Sequence, residues 1–158
     1  MAKKKRLTWR QFHILVRGLA ERVESAGFRP DVLVGVTRGG LVPLAILGEL
    51  MGMKNVATIS ARSYDGVERG KLNITALPEI DLRGKRVLLV DEITDSGETL
   101  KKIAVLVAKH YQTADVKTAV VVTNTAHCTH APDFSMMETD VWVVFPWQEW
   151  PRRKREEE

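Results

Sequence analysis

The sequence predicts an α/β domain, and three observations carry that reading. Short runs of apolar, mostly β-branched residues alternate with stretches whose apolar residues recur at helical spacing. One such run, Val87-Leu88-Leu89-Val90, reads as a buried parallel strand and ends on an acidic pair, Asp91-Glu92. A polar turn, Thr94 to Thr99, then leads into a helical pattern beginning at Leu100.

Taken in order, Thr8 to Ser25 reads as an amphipathic helix with Phe12, Leu15, Val16, Leu19 and Val23 on one face, and Thr8 with Gln11 forms a capping box. Val32 to Val36 is a buried strand. Pro43, tolerated in a first turn, opens a helix to about Met51. Val56 to Ala61 is the next strand, and residues 62 to about 80 form a polar segment without period, long enough to be functional or mobile. After the acidic strand, Leu100, Ile103, Ala104, Val107, Ala108 and Tyr111 mark a helix. Val116 to Thr123 and Val141 to Phe145 are read as the last strands. No internal repeat or low-complexity block falls between residues 7 and 150.

Composition places the chain among globular proteins. It has 158 residues, 44% hydrophobic and 28% charged, which suits one domain with a sizeable core, taken as residues 7–150. No apolar run reaches membrane-span length, and the basic start is not followed by an apolar region, so no signal peptide or membrane anchor is expected. The single cysteine, Cys128, excludes an internal disulfide and fits a reducing, cytoplasmic compartment. The net charge of +4 concentrates at the ends, in Lys3 to Arg6 and Arg152 to Arg155. Residues 1–6 and 151–158 are read as charged, flexible tails rather than a nucleic-acid surface.

The chemistry lies in loops that follow strands. A helix N-terminus offers backbone N–H groups and partial positive charge to a phosphate. Carboxylates at a strand's end suit ribose hydroxyls or a hydrated magnesium ion. The stretch Asp91 to Thr99 therefore presents groups for both halves of a ribose phosphate. In Gly35-Val36-Thr37-Arg38-Gly39-Gly40 the glycines allow backbone amides close to a phosphate and Arg38 adds a forked cation, but the spacing is not that of a Walker A loop. A plain tight turn is the alternative for this loop on its own. His127, Cys128 and His130 match no common zinc spacing and are read as structural.

The stretch from Val87 to Thr99 resembles the signature of the type I phosphoribosyltransferases: apolar residues, two acids, two further residues, then Asp-Ser/Thr-Gly-x-Thr. These enzymes use phosphoribosyl pyrophosphate (PRPP). The resemblance implies their fold, a central mostly parallel sheet flanked by helices with a small hood built from the C-terminal strands. It implies that Thr94, Asp95, Ser96, Gly97, Glu98 and Thr99 bind the 5′-phosphate, and that Asp91 and Glu92 orient the ribose diol and a Mg2+ ion. Asp95 would accept the proton of the base. Thr37-Arg38-Gly39-Gly40 is similar to the pyrophosphate loop of the xanthine–guanine branch, which implies a cis peptide at Thr37–Arg38. Arg62, Ser63 and Tyr64 match the start of the family's mobile loop, with Arg69 and Lys71 as further cations near the pyrophosphate.

Trp142-Val143-Val144-Phe145-Pro146-Trp147 is similar to the base-binding strand of purine-salvage members. Trp142 would stack on the base and the Val143 backbone would read its edge, whereas Phe145 and Trp147 read as core. Two departures stand out. No lysine ends the preceding strand, where Thr123-Asn124-Thr125 leaves Asn124 to face the base, and Gln148 stands where an acid is expected, with Glu149 following as a further metal-ligand candidate. The resemblance implies purine salvage on a 6-oxopurine by a homo-oligomer, a dimer or tetramer, without membrane or nucleic-acid partners. Transfer to another base, or a PRPP-sensing regulator of the same fold that binds nucleic acid, is the alternative.

Overall fold

In the computed structural model, residues 3–63 and 71–149 are described. Among the described residues, eight strands and three helices follow one another as β1 (Lys4–Arg6), α1 (Trp9–Ser25), β2 (Val32–Thr37), α2 (Leu41–Leu50), β3 (Val56–Ser63), β4 (Leu72–Ala76), β5 (Arg86–Thr94), α3 (Glu98–Tyr111), β6 (Asp115–Asn124), β7 (Phe134–Thr139) and β8 (Trp142–Val144), ending in a 3-10 turn at Pro146–Gln148. Six strands form the main sheet in the order β4-β3-β2-β5-β6-β7. All its pairings are parallel except β3 with β4.

The central strands are apolar on both faces because helices cover both. Leu33, Leu88 and Val90 pack with α1 and α2 residues such as Phe12, Leu19 and Leu47. The alternate positions Val32, Val34, Val87 and Leu89 pack with Leu100, Ile103 and Val107 of α3. That is why these runs read as continuous rather than alternating hydrophobic. The expected capping box is present: Gln11 N donates to Thr8 Oγ1 at 3.2 Å and Thr8 N donates to Gln11 Oε1 at 2.9 Å. Pro43 is accommodated in the first turn of α2, which starts two residues earlier than Pro43 and ends at Leu50.

Several expectations need correction. Lys4–Arg6, assigned to a flexible tail, form a strand parallel to Trp142–Val144, and Leu7 N extends the pairing to Val144 O at 3.0 Å. The two-stranded hood thus takes one strand from each end of the chain rather than being built from C-terminal strands alone. The segment from 62 to 80 contains β4, antiparallel to the end of β3. A strand at Phe134–Thr139 was not anticipated, and it forms one edge of the sheet. The acidic strand does not stop at Asp91 but runs through the acidic pair to Thr94, paired there with Thr123. Among the described residues, no helix is long and apolar enough to cross a membrane.

The hood is fastened by aromatic packing, as the reading of Phe145 and Trp147 as core residues anticipated. Phe145 is 1% exposed, stacks on Trp147 with centroids 4.9 Å apart, and meets the edge of Phe12 at 5.9 Å. Phe145→Ala should therefore lower stability by about 3–5 kcal/mol. Urea denaturation should show an earlier midpoint with an unchanged slope.

Candidate functional site

Strand order reverses between β2 and β5: the chain winds outward from β2 to β3 on one side and from β5 to β6 on the other. In open α/β sheets a crevice forms at the carboxyl ends of the strands at such a reversal, and ligands bind there. Both loops singled out in the sequence emerge at that point. Val32 to Gly35 of β2 pair with Val87 to Val90 of β5, so the two strands reach the crevice in fixed register. At the opposite end Asp31 and Arg86 lock that register through a fork, with Nε to Oδ2 at 3.1 Å and Nη2 to Oδ1 at 2.9 Å, and Arg86 N also donates to Oδ2 at 2.8 Å. These bonds hold the Asp31 carboxyl well below the usual carboxylate range. Sequence reading missed this pair, because nothing local links residues 55 positions apart.

Thr37-Arg38-Gly39-Gly40 lies across the end of β5, and the Thr37–Arg38 peptide is cis, as the resemblance implied. Thr37 Oγ1 and Ser60 Oγ are 3.0 Å apart. A Cβ at Gly40 would run into the Val90 and Val36 carbonyls, so the backbone requires glycine there, and a Cβ at Gly39 would displace the Glu92 carboxylate. Glu92 Oε2 is buried without a hydrogen-bond partner. Asp91 Oδ1 accepts from Glu92 N at 2.8 Å. Burial, reinforced by the neighbouring Glu92 charge, pushes Asp91 up to about 8. Burial pushes Glu92 up to about 7 against the opposing influence of Arg38.

The Asp95–Gly97 turn joins β5 to α3. Thr94 is 5% exposed within the sheet, whereas Asp95 and Glu98 are exposed and Ser96 and Thr99 half-buried. Gly97 is the N-cap, at φ 85°, and Glu98 N donates to Ser96 Oγ at 3.3 Å. Its left-handed backbone and the His130 carbonyl, which a Cβ there would meet, both call for glycine. Arg38 is exposed at the mouth of the crevice. Arg62 is exposed on β3 opposite Asn73, Ser63 ends that strand, and Tyr64 and Arg69 lie outside the described residues.

On the hood, Trp142 is 66% exposed while the Val143 side chain is buried in the core. Asn124, expected to face the base, has its amide engaged by Asp95 and Ala126. Glu149 pairs with Arg6 at 3.3 Å and is not gathered with Asp91 and Glu92. Among the described residues, no three His, Cys, Asp or Glu side chains converge as a metal group, and that includes His127, Cys128 and His130.

This arrangement brings a carboxyl pair, a glycine loop carrying Arg38 and a helix N-terminus together where the strand order reverses. The phosphoribosyl transferase domain model matches residues 6–152, and the chain belongs to the phosphoribosyltransferase family. Its mostly parallel sheet and flanking helices are the type I fold. More particularly, it is 32% identical over 149 residues to the xanthine-guanine phosphoribosyltransferase of Cereibacter sphaeroides, covering 89% of this chain and 84% of that one. Among solved structures, it is similar to a purine phosphoribosyltransferase from Pyrococcus horikoshii at 34% identity, with a TM-score of 0.82 over 97% of this chain and 99% of that one. The Helicobacter pylori xanthine-guanine-hypoxanthine enzyme matches at 25% identity and a TM-score of 0.84, over 93% and 95% of the two chains.

The raised carboxyls make a pH prediction. Asp91 and Glu92 keep protons in the folded protein at pH values where the unfolded chain has lost them. Their contribution to stability is complete below the ordinary carboxyl range and is lost as pH rises through about 7 and 8. Between pH 5 and 8 the ligand-free protein should lose stability by up to about 1.4 kcal/mol per pH unit for each retained proton. Melting curves should fall accordingly, and Asp91→Asn should flatten the slope.

Proposed function

We propose that this chain is a purine-salvage phosphoribosyltransferase that moves the 5-phosphoribosyl group from PRPP to a 6-oxopurine, giving a nucleoside monophosphate and pyrophosphate. The observation that carries this reading is the meeting of the β5 carboxyl pair, the Arg38-Gly39-Gly40 loop and the α3 N-terminus at the reversal of strand order. The base class is supported by the similarity to purine-specific enzymes and by Trp142, an aromatic exposed on the hood.

The 5′-phosphate sits on the Asp95–Thr99 turn, where first-turn amides lack intrahelical acceptors. Asp91 and Glu92 take the ribose hydroxyls. Arg38 and the amides of Gly39 and Gly40 hold the pyrophosphate. A ring nitrogen of the purine forms the new bond to the anomeric carbon as the bond to the pyrophosphate oxygen breaks. The electron pair of the broken bond leaves with pyrophosphate, and Arg38 stabilises that growing negative charge. The imidazole proton of the base passes to the Asp95 carboxylate.

The residues present fit Mg2+. Glu92 offers a buried, unpartnered oxygen beside Asp91, and two carboxyl groups suffice for an ion that keeps waters and substrate oxygens as its remaining ligands. When bound, the ion supplies positive charge against the pyrophosphate oxygens.

Pyrophosphate release, assayed with guanine, xanthine, hypoxanthine, adenine and orotate, tests the reading. Turnover is expected with 6-oxopurines, and binding of PRPP without turnover on any base would instead favour a sensor. Asp95→Asn should lower kcat by roughly 10²–10⁴-fold while the KM for PRPP moves by no more than a few-fold. Steady-state kinetics in PRPP separates the two parameters, and equal losses in both would remove Asp95 from the chemistry.

A further inference from the structure

Asn124 is the last residue of β6, and its side chain is held at both ends. Its Nδ2 donates to Asp95 Oδ1 at 2.8 Å, and its Oδ1 accepts from Ala126 N at 3.1 Å. A backbone N–H can only donate, so the second bond fixes which end of the amide faces Asp95. The main chain is tied down as well, with Cys128 N donating to Asn124 O at 3.1 Å and Thr125 N to Thr139 O at 2.9 Å.

The loop that follows then reaches back to the next two residues of the phosphate turn. Thr129 N and His130 N both donate to Ser96 O at 3.0 Å, and Thr129 Oγ1 does so at 3.2 Å. The His130 carbonyl closes the space at Gly97. Asp95, Ser96 and Gly97 are therefore gripped in succession by residues 124–130. Asp95 is exposed on a turn, and without the amide its carboxylate would rotate freely about two side-chain torsions.

We propose that Asn124 is a positioning residue: it anchors one oxygen of Asp95 so that the other is presented to the base proton, and it does so with a neutral donor that leaves the carboxylate's charge uncancelled. The proposal rests on the phosphoribosyltransferase reading and assigns Asn124 a role through Asp95 rather than a contact with the base.

The test is a double-mutant cycle. Asn124→Asp keeps the acceptor for Ala126 N but replaces the donor to Asp95 with a like charge, and Asn124→Leu keeps the volume and removes the polar atoms. In the wild-type background each should lower kcat on the order of 10- to 100-fold with little change in the KM for PRPP. In the Asp95→Asn background the same substitutions should change kcat less than threefold, because the group they act through is already gone. Losses that multiply in the double variants would overturn the proposal, as would a raised KM for the base with kcat unchanged. If Asn124→Leu does not fold, the Asn124→Asp arm decides the matter. A wild-type protein that releases no pyrophosphate would sink the underlying reading instead, and a direct titration of PRPP would distinguish that failure from this one.

Discussion

The parallel pairing of β2 with β5 is the constraint on which the rest of this molecule depends. Both strands are buried on both faces, so any slip of register would carry Val32, Val34, Val87 and Leu89 away from α3 and Leu33, Leu88 and Val90 away from α1 and α2. The Asp31–Arg86 fork at one end sets the register, and the two functional loops emerge at the other. As an exposed ion pair the fork adds little to stability. Its value is geometric, since it fixes where Gly39 falls relative to Glu92. A crevice whose walls are main chain from two adjacent strands has little freedom to drift.

That geometry also explains the state of the acidic pair. Asp91 and Glu92 do not project from a loop, because β5 continues through them, half-buried, to Thr94. Burial disfavours their charged forms, and Arg38 offsets only part of the cost for Glu92. Two acids in that condition are poorly satisfied by the protein alone, as the unpartnered Glu92 oxygen shows. These carboxyls are held at some expense to stability.

Much of this was legible in the sequence because it is local. The capping box, the buried strands, the glycine loop and the turn after β5 each declare themselves within a dozen residues. What escaped depends on pairing between distant segments. Lys4-Lys5-Arg6 has no strand signal of its own, being charged and exposed throughout, and becomes a strand only against Trp142–Val144. Phe134–Thr139 is a half-buried edge strand, so it lacks the dense β-branched run that marks its neighbour β6. Leu72 to Thr75 alternates, but over too few residues to stand out from a polar segment. The acidic pair looked like a terminator because charge usually ends a buried strand, and here β5 runs on through it to Thr94.

Asn124 shows the same limit at the scale of one side chain. Its place at the end of β6 identified it as part of the site, and its chemistry allowed it either to read a base or to hold a neighbour. Sequence distance hid the neighbour, since Asp95 lies 29 residues away across the β5–β6 pairing. With the amide's oxygen committed to Ala126 N, only its donor end is left to act, and that end already meets a carboxylate. A lysine at this position would bring a full positive charge to the same carboxylate and pair with it. An asparagine holds Asp95 by one hydrogen bond from a neutral donor. The end of β6 thus contacts the acid of the turn, while Trp142 stands exposed on the hood.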